Sequence, residues 1–240
     1  VNDAAYSELV GLTGVIRITT LNWADPDLLR HDTAHELFHA VQYEALGWNY
    51  KTARKWWLEA TADYAADKVA WKGSIHAMGQ DIRHKYLETS ITSTEDFHDY
   101  STSHFIDYLV QHQSIFEFSD LWWQTATGGD NVLNTLVDIV QNPKSLGQQY
   151  ADFARFFIFD PASPDKYTDS ISNSIAFKTS EMKQSDTELQ ESFDAGYFTA
   201  KLWAVQSSYE RDILIERLDD SAGTVSYAVL SGDTRTSAVS

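Results

Sequence analysis

The chain reads as an α+β protein: a mostly helical domain with a small edge sheet, followed by a small β domain that is truncated for a sandwich. Three observations predict this. Between residues 32 and 159 apolar side chains recur at helical spacing. Ahead of that stretch, Gly14-Val15-Ile16-Arg17-Ile18-Thr19-Thr20 is β-branched and alternating, the pattern of a strand. Behind it, past Asp160-Pro161-Ala162-Ser163-Pro164-Asp165, the chain turns polar and then gives strand patterns spaced by turn signals.

Taken in order, residues 3–10 suggest a short helix and residues 14–20 the edge strand. A loop with Asn22, Asp25, Pro26 and Asp27 follows, and its acidic groups read as solvated turn residues rather than a Ca²⁺ site. Asp32 is the expected N-cap of a helix that runs to Leu46, where Gly47 stops it. The next helix, Trp56 to Asp67, is rich in Ala, with Trp56, Trp57, Ala60 and Tyr64 spaced for burial. Residues 74–88 look helical and carry His76 and His84, both read as surface groups. Four more helices are expected over 103–112, 115–126, 130–141 and 144–159, separated by Gly128-Gly129 and Asn142-Pro143. Phe105, Leu109, Leu121, Leu136, Phe153 and Phe157 mark their apolar faces.

These boundaries give a first domain over 1–160, a linker over 161–195 and a partial β domain over 196–240. The last carries strand patterns at 197–205, 212–218 and 224–230. Three strands make a marginal unit alone, so the tail reads as a structural spacer ahead of a substrate or carbohydrate binder.

Composition narrows the partners. The net charge of −17 repels a nucleic-acid backbone, and no basic stripe offsets it, so no nucleic-acid partner is expected. Hydrophobic residues make up 43% of the chain, enough for a packed core. No apolar run is long enough to form a membrane-spanning segment. Cysteine is absent, which excludes disulfides and thiolate metal sites. The chain starts without Met or a signal peptide, and reads as a mature product or an excised piece.

The chemistry sits in His35-Glu36-Leu37-Phe38-His39, the pattern H-E-x-x-H. Four residues are slightly more than one helical turn, so both imidazoles point from one face and can share one Zn²⁺. Glu36 lies beside them, where a carboxylate can act as a base on water. A catalytic zinc needs a third protein ligand. Glu59 offers a carboxylate from the Ala-rich helix, where a buried charge needs a cationic partner. An ordinary helix-face glutamate in an ion pair is the alternative. Asp63 is one turn further on the same face and could orient a ligand histidine.

Together, His35-Glu36-Leu37-Phe38-His39 and Glu59-Ala60-Thr61-Ala62-Asp63 resemble the gluzincin group of zinc metallopeptidases, which includes thermolysin-like endopeptidases and zinc aminopeptidases. The flanks Thr33-Ala34 and Ala40-Val41-Gln42-Tyr43 are similar to those of secreted bacterial gluzincin-like domains. The resemblance is sharpest over residues 32–67. It implies zinc on His35, His39 and Glu59, with Glu36 as general base and Asp63 orienting His35. It also implies an oxyanion donor, Tyr or His, from a later helical segment. Tyr100 is the first candidate, then His104, which reads equally as a surface histidine; Tyr108 reads as core. A secreted or cell-surface location follows from the family, not from the composition.

The expected activity is zinc-dependent hydrolysis of a peptide or protein substrate. Residues 1–34 carry no Gly-rich exopeptidase motif, which leans towards an endopeptidase. The alternative from another class is a non-catalytic surface adhesion or binding module that keeps the fold and its zinc. Retention of Glu36 favours the enzyme, because a structural zinc needs no base.

Overall fold

Asp25 and Pro26 start the longest helix among the described residues, α1 (Pro26–Leu46). The Asp25 carboxylate accepts from the backbone N–H groups of Asp27 and Leu28 at 3.0 and 3.1 Å. Pro26 takes the first helical position, where a missing N–H costs nothing, and Asp27 adds negative charge to the first turn. The helix thus begins well before Asp32, the N-cap expected from sequence. Its described part runs to Leu46; Gly47, the expected stop, lies outside the described residues.

The computed structural model describes residues 5–10, 13–18, 25–46, 55–71, 86–87, 89–113, 117–127, 131–140, 144–159, 178–182, 203–207, 229–230 and 238–239. They are mostly helical, in keeping with the spacing of the apolar residues. Two compact units divide the chain: Val1–Met78 with Ile91–Gln149, and Gly79–Ser90 with Tyr150–Ser240.

In the first unit, β1 (Ala5–Val10) and β2 (Thr13–Ile18) pair antiparallel, with Ala5 opposite Ile18 and Val10 opposite Thr13. Residues 5–10 are therefore a strand, not the helix expected over 3–10. Two strands two residues apart form a hairpin, and pairing with β2 outweighs the weak local helical pattern. Next come α1 and α2 (Lys55–Ala70), which pack against each other. Trp56, Trp57, Ala60 and Tyr64 of α2 are all buried, as their spacing predicts. The indole N–H of Trp57 donates to Thr125 Oγ1 at 2.8 Å, so its burial leaves no polar atom unsatisfied.

A 3₁₀ turn over Glu95–Phe97 leads into two short helices, α3 (His98–Ser101) and α4 (Ser103–Asp107). Asp96 within that turn has φ of 49°, a left-handed conformation that Asp tolerates better than most residues. A π-helical turn, Tyr108–His112, extends α4. Then follow α5 (Phe118–Thr127) and α6 (Val132–Ile139), the latter capped by Asn131, whose side chain accepts from the Asn134 N–H at 3.1 Å. Phe105, Ile106, Leu109, Leu121 and Leu136 are almost fully buried and form the core of this unit with α2. Burying each such side chain contributes about 1.5–3 kcal/mol.

In the second unit, Tyr86 lies against Phe153 and Phe157 of α7 (Leu146–Phe159), with ring centroids 6.0 and 5.3 Å away. β3 (Lys178–Met182) pairs parallel with β4 (Trp203–Ser207), and β5 (Val229–Leu230) antiparallel with β6 (Ala238–Val239). β3 falls in the stretch expected to be a linker. Apart from Tyr86 and Leu87, the helix expected over 74–88 lies outside the described residues, as does the strand expected over 212–218. Among the described residues, no helix is long and apolar enough to cross a membrane.

Candidate metal centre

The buried residues of α1 are His35, Glu36, His39 and Gln42, all polar, whereas Leu37 and Val41 on the same helix are exposed. A surface helix normally buries its apolar stripe. Burying a polar one costs several kcal/mol unless each group finds a partner. This inversion marks the site.

The partners come from α2. His35 Nε2 and His39 Nε2 lie 3.0 Å apart. Glu59 Oε2 is 3.3 Å from the first and 3.2 Å from the second. Three donor atoms thus form a nearly equilateral triangle. Zinc held tetrahedrally by N and O atoms at about 2.0–2.2 Å separates its ligand atoms by about 3.3–3.6 Å. The observed triangle is slightly tighter than that, and the donor set of two imidazoles and a carboxylate suits zinc. Two imidazole nitrogens and a carboxylate oxygen this close need a shared proton or a cation among them. The residues present therefore fit a divalent cation.

The charges of the site reflect the same crowding. Burial alone would raise the Glu59 carboxyl, but hydrogen bonds from His35 and His39 hold it well below the usual carboxylate range. Burial would depress the His39 imidazole, yet Glu59, Gln42 and the charge of Glu36 raise it above its ordinary value. Glu36 is buried and sits three residues before His39, on the face that carries the triad.

Asp63 does not orient His35 as expected. Its Oδ1 stays 3.9 Å from His35 Nδ1, beyond hydrogen-bond reach, and is 3.2 Å from His31 Nε2. Its other oxygen accepts from the Ser103 hydroxyl at 3.1 Å. Asp67 Oδ1 also faces His31 Nε2, at 3.4 Å. His31 is four residues before His35, so the carboxylate meets the first histidine along the helix face instead of the second. Burial would lower the His31 imidazole, but Asp63 and Asp67 outweigh it through hydrogen bonds and charge, raising it to about 10. His31 is thus an imidazolium at neutral pH, clamped between two carboxylates.

Tyr100 of α3 reaches the triad. Its ring stacks on His35 with centroids 5.4 Å apart and planes 17° from parallel. Its phenol is pushed far up, first by burial, then by the charges of Glu59 and Asp99 and a hydrogen bond to Glu59. The hydroxyl therefore stays protonated and donates. Beside it, Asp99 is buried and pushed up to about 6 by burial; Lys55, 3.6 Å away, counters this and Glu59 reinforces it. His104 is buried on α4 directly after Ser103, not on the surface. Tyr108 is buried, as a core residue should be.

Sequence reasoning missed His31, Asp67, Ser103 and Gln42. Helical spacing could have found two of them. His31 precedes His35 by one turn and Gln42 follows His39 by three residues, so both share the helix face that carries His35 and His39. Comparisons of the chain with protein families, with curated proteins and with solved structures find no match.

Proposed function

We propose that the chain is a zinc-dependent peptidase of gluzincin type, an endopeptidase sooner than an aminopeptidase. The observation that carries this reading is the convergence of His35 Nε2, His39 Nε2 and Glu59 Oε2 within 3.0–3.3 Å of one another. These three residues would hold the ion. When bound, zinc supplies Lewis acidity and lowers the pKa of water to about 7.

The chain's own groups supply the rest. Glu36, on the same buried face, takes a proton from the attacking water and passes it to the leaving amine. Tyr100, a protonated donor at the triad, hydrogen-bonds to the oxyanion of the tetrahedral intermediate. His104 is the second candidate for that role. Asp63 and Ser103 act at one remove, through His31 and the packing of α1 on α2.

The remaining features belong to the same proposal. The β1–β2 hairpin is the small edge sheet and would pair with an extended substrate strand. The segment over 196–240 would be the small β domain, and the protein would work outside the cell or at its surface. A binding module that keeps zinc without cleaving is the competing reading, and the buried Glu36 speaks against it.

The test is digestion of casein and a peptide library by the zinc-loaded protein, with and without a chelator. Chelator-sensitive cleavage supports the peptidase. Tight zinc binding with no cleavage of either substrate overturns it in favour of the binding module.

A further inference from the structure

Gln42 is fully buried one turn past His39, and each polar atom of its side chain has a partner. We propose that Gln42 is the positioning residue of the metal site: it fixes His39 as the Nδ1–H tautomer and ties α1 to the backbone beside Glu59. The inference rests on the metal reading given above.

The assignment follows from what each atom is able to do. The Leu58 carbonyl oxygen has no hydrogen, so the Gln42 atom 2.9 Å from it must be the amide nitrogen. Gln42 Oε1 therefore faces His39 Nδ1, at 2.6 Å. An amide oxygen only accepts, so Nδ1 must carry the hydrogen. In the neutral ring Nε2 then keeps its lone pair, which points at the triad.

Thr61 locks the arrangement. Its hydroxyl donates back to the Trp57 carbonyl at 2.7 Å, leaving its oxygen to accept from the second Gln42 N–H at 2.9 Å. Turning the amide over would set oxygen against the Leu58 carbonyl and an N–H against His39 Nδ1. Both amide hydrogens and the amide oxygen are thus committed, and the ring of His39 is committed with them.

His35 lacks such a hold. Its Nδ1 is buried without a hydrogen bond, and Asp63 stands 3.9 Å away. The two ligand histidines are therefore unequal, His39 aimed in advance and His35 left to adjust. Because Leu58 adjoins Glu59, the Gln42 amide also sets where α2 presents its carboxylate. A partner on the outer nitrogen of a ligand histidine is typically worth about 10–100-fold in metal affinity.

Two measurements test this. Nitrogen-15 shifts of the His39 ring, in zinc-free wild-type protein at a pH where the ring is neutral, should report Nδ1–H; the Nε2–H form would overturn the proposal. Zinc affinities by chelator competition should then fall about 10–100-fold in Gln42→Leu. Gln42→Glu should recover much of that loss, since its carboxylate still accepts from Nδ1–H. Both variants lose the amide donation to Leu58 and Thr61, so a merely structural role predicts equal damage, and equal damage would overturn the positioning role. A wild-type protein that takes no zinc sinks the metal reading instead, while the ring shifts still decide the tautomer.

Discussion

Tyr100 lies over the face of His35, with centroids 5.4 Å apart and only 17° between planes. In the proposed reaction, a phenol held against His35 and hydrogen-bonded to Glu59 would donate to the developing oxyanion. Tyr100→Phe keeps the stacked ring and removes the donor. Peptide cleavage should fall about 10²–10³-fold with zinc content unchanged. Steady-state kinetics on a fluorogenic peptide, with elemental analysis of the same sample, checks both halves. Loss of zinc from this variant would make Tyr100 a support for Glu59 instead.

Glu36 separates base from ligand. It is buried on the α1 face that carries both histidines, yet it is no member of the triad. Glu36→Gln preserves size and burial but cannot take a proton. Hydrolysis should drop at least about 10²–10⁴-fold, while one zinc per chain remains. Normal turnover by this variant would remove the proposed base.

Zinc should also stabilise the fold, because the triad joins α1 to α2 and such a site is lost on unfolding. At a free zinc concentration about a hundredfold over Kd, binding adds about 2.7 kcal/mol. For a chain of this size that raises Tm by about 5–10 °C. His35→Ala should lose both the bound metal and the shift. Calorimetry of wild type and variant with and without zinc measures it, and equal shifts in the two proteins would place the metal elsewhere.

The meeting of His35 and His39 on one face was legible because helical spacing fixes which residues share a face. His39 follows His35 by four positions, about one turn, and Glu59 is a carboxylate beside two tryptophans in an Ala-rich helix, where a buried charge needs a partner. The start of α1 was legible too, in Asp25-Pro26, but Asp32 lies nearer the motif and competes as a cap. What sequence could not supply is the rotation of α2 against α1. That rotation decides that Asp63 meets His31 and not His35, and that Gln42 reaches Leu58. Such choices rest on packing of Trp57, Ala60 and Tyr64 against distant residues, which no local pattern encodes. Residues 5–10 failed for a similar reason, since pairing with Thr13–Ile18 is a tertiary event.

His31 gives the site a pH dependence of known sign. Its imidazole is raised from 6.5 to about 10 by Asp63 and Asp67, against the opposing effect of burial. Below pH 6.5 the folded and unfolded chains both hold this proton, and the clamp contributes in full. As pH rises from there the unfolded chain releases the proton first, so folding stability falls until about pH 10, where the folded state releases it as well. Asp32 also stands 3.4 Å from His31 Nδ1, so three carboxylates face this ring. His31→Gln removes the cation and leaves Asp63 and Asp67 facing each other, at a cost of about 3–5 kcal/mol near neutral pH. Urea unfolding of both proteins at pH 6.5, 8 and 10 should show the gap narrowing as the wild type loses stability. A gap that stays constant across that range would mean that His31 is neutral and that its contacts are ordinary hydrogen bonds.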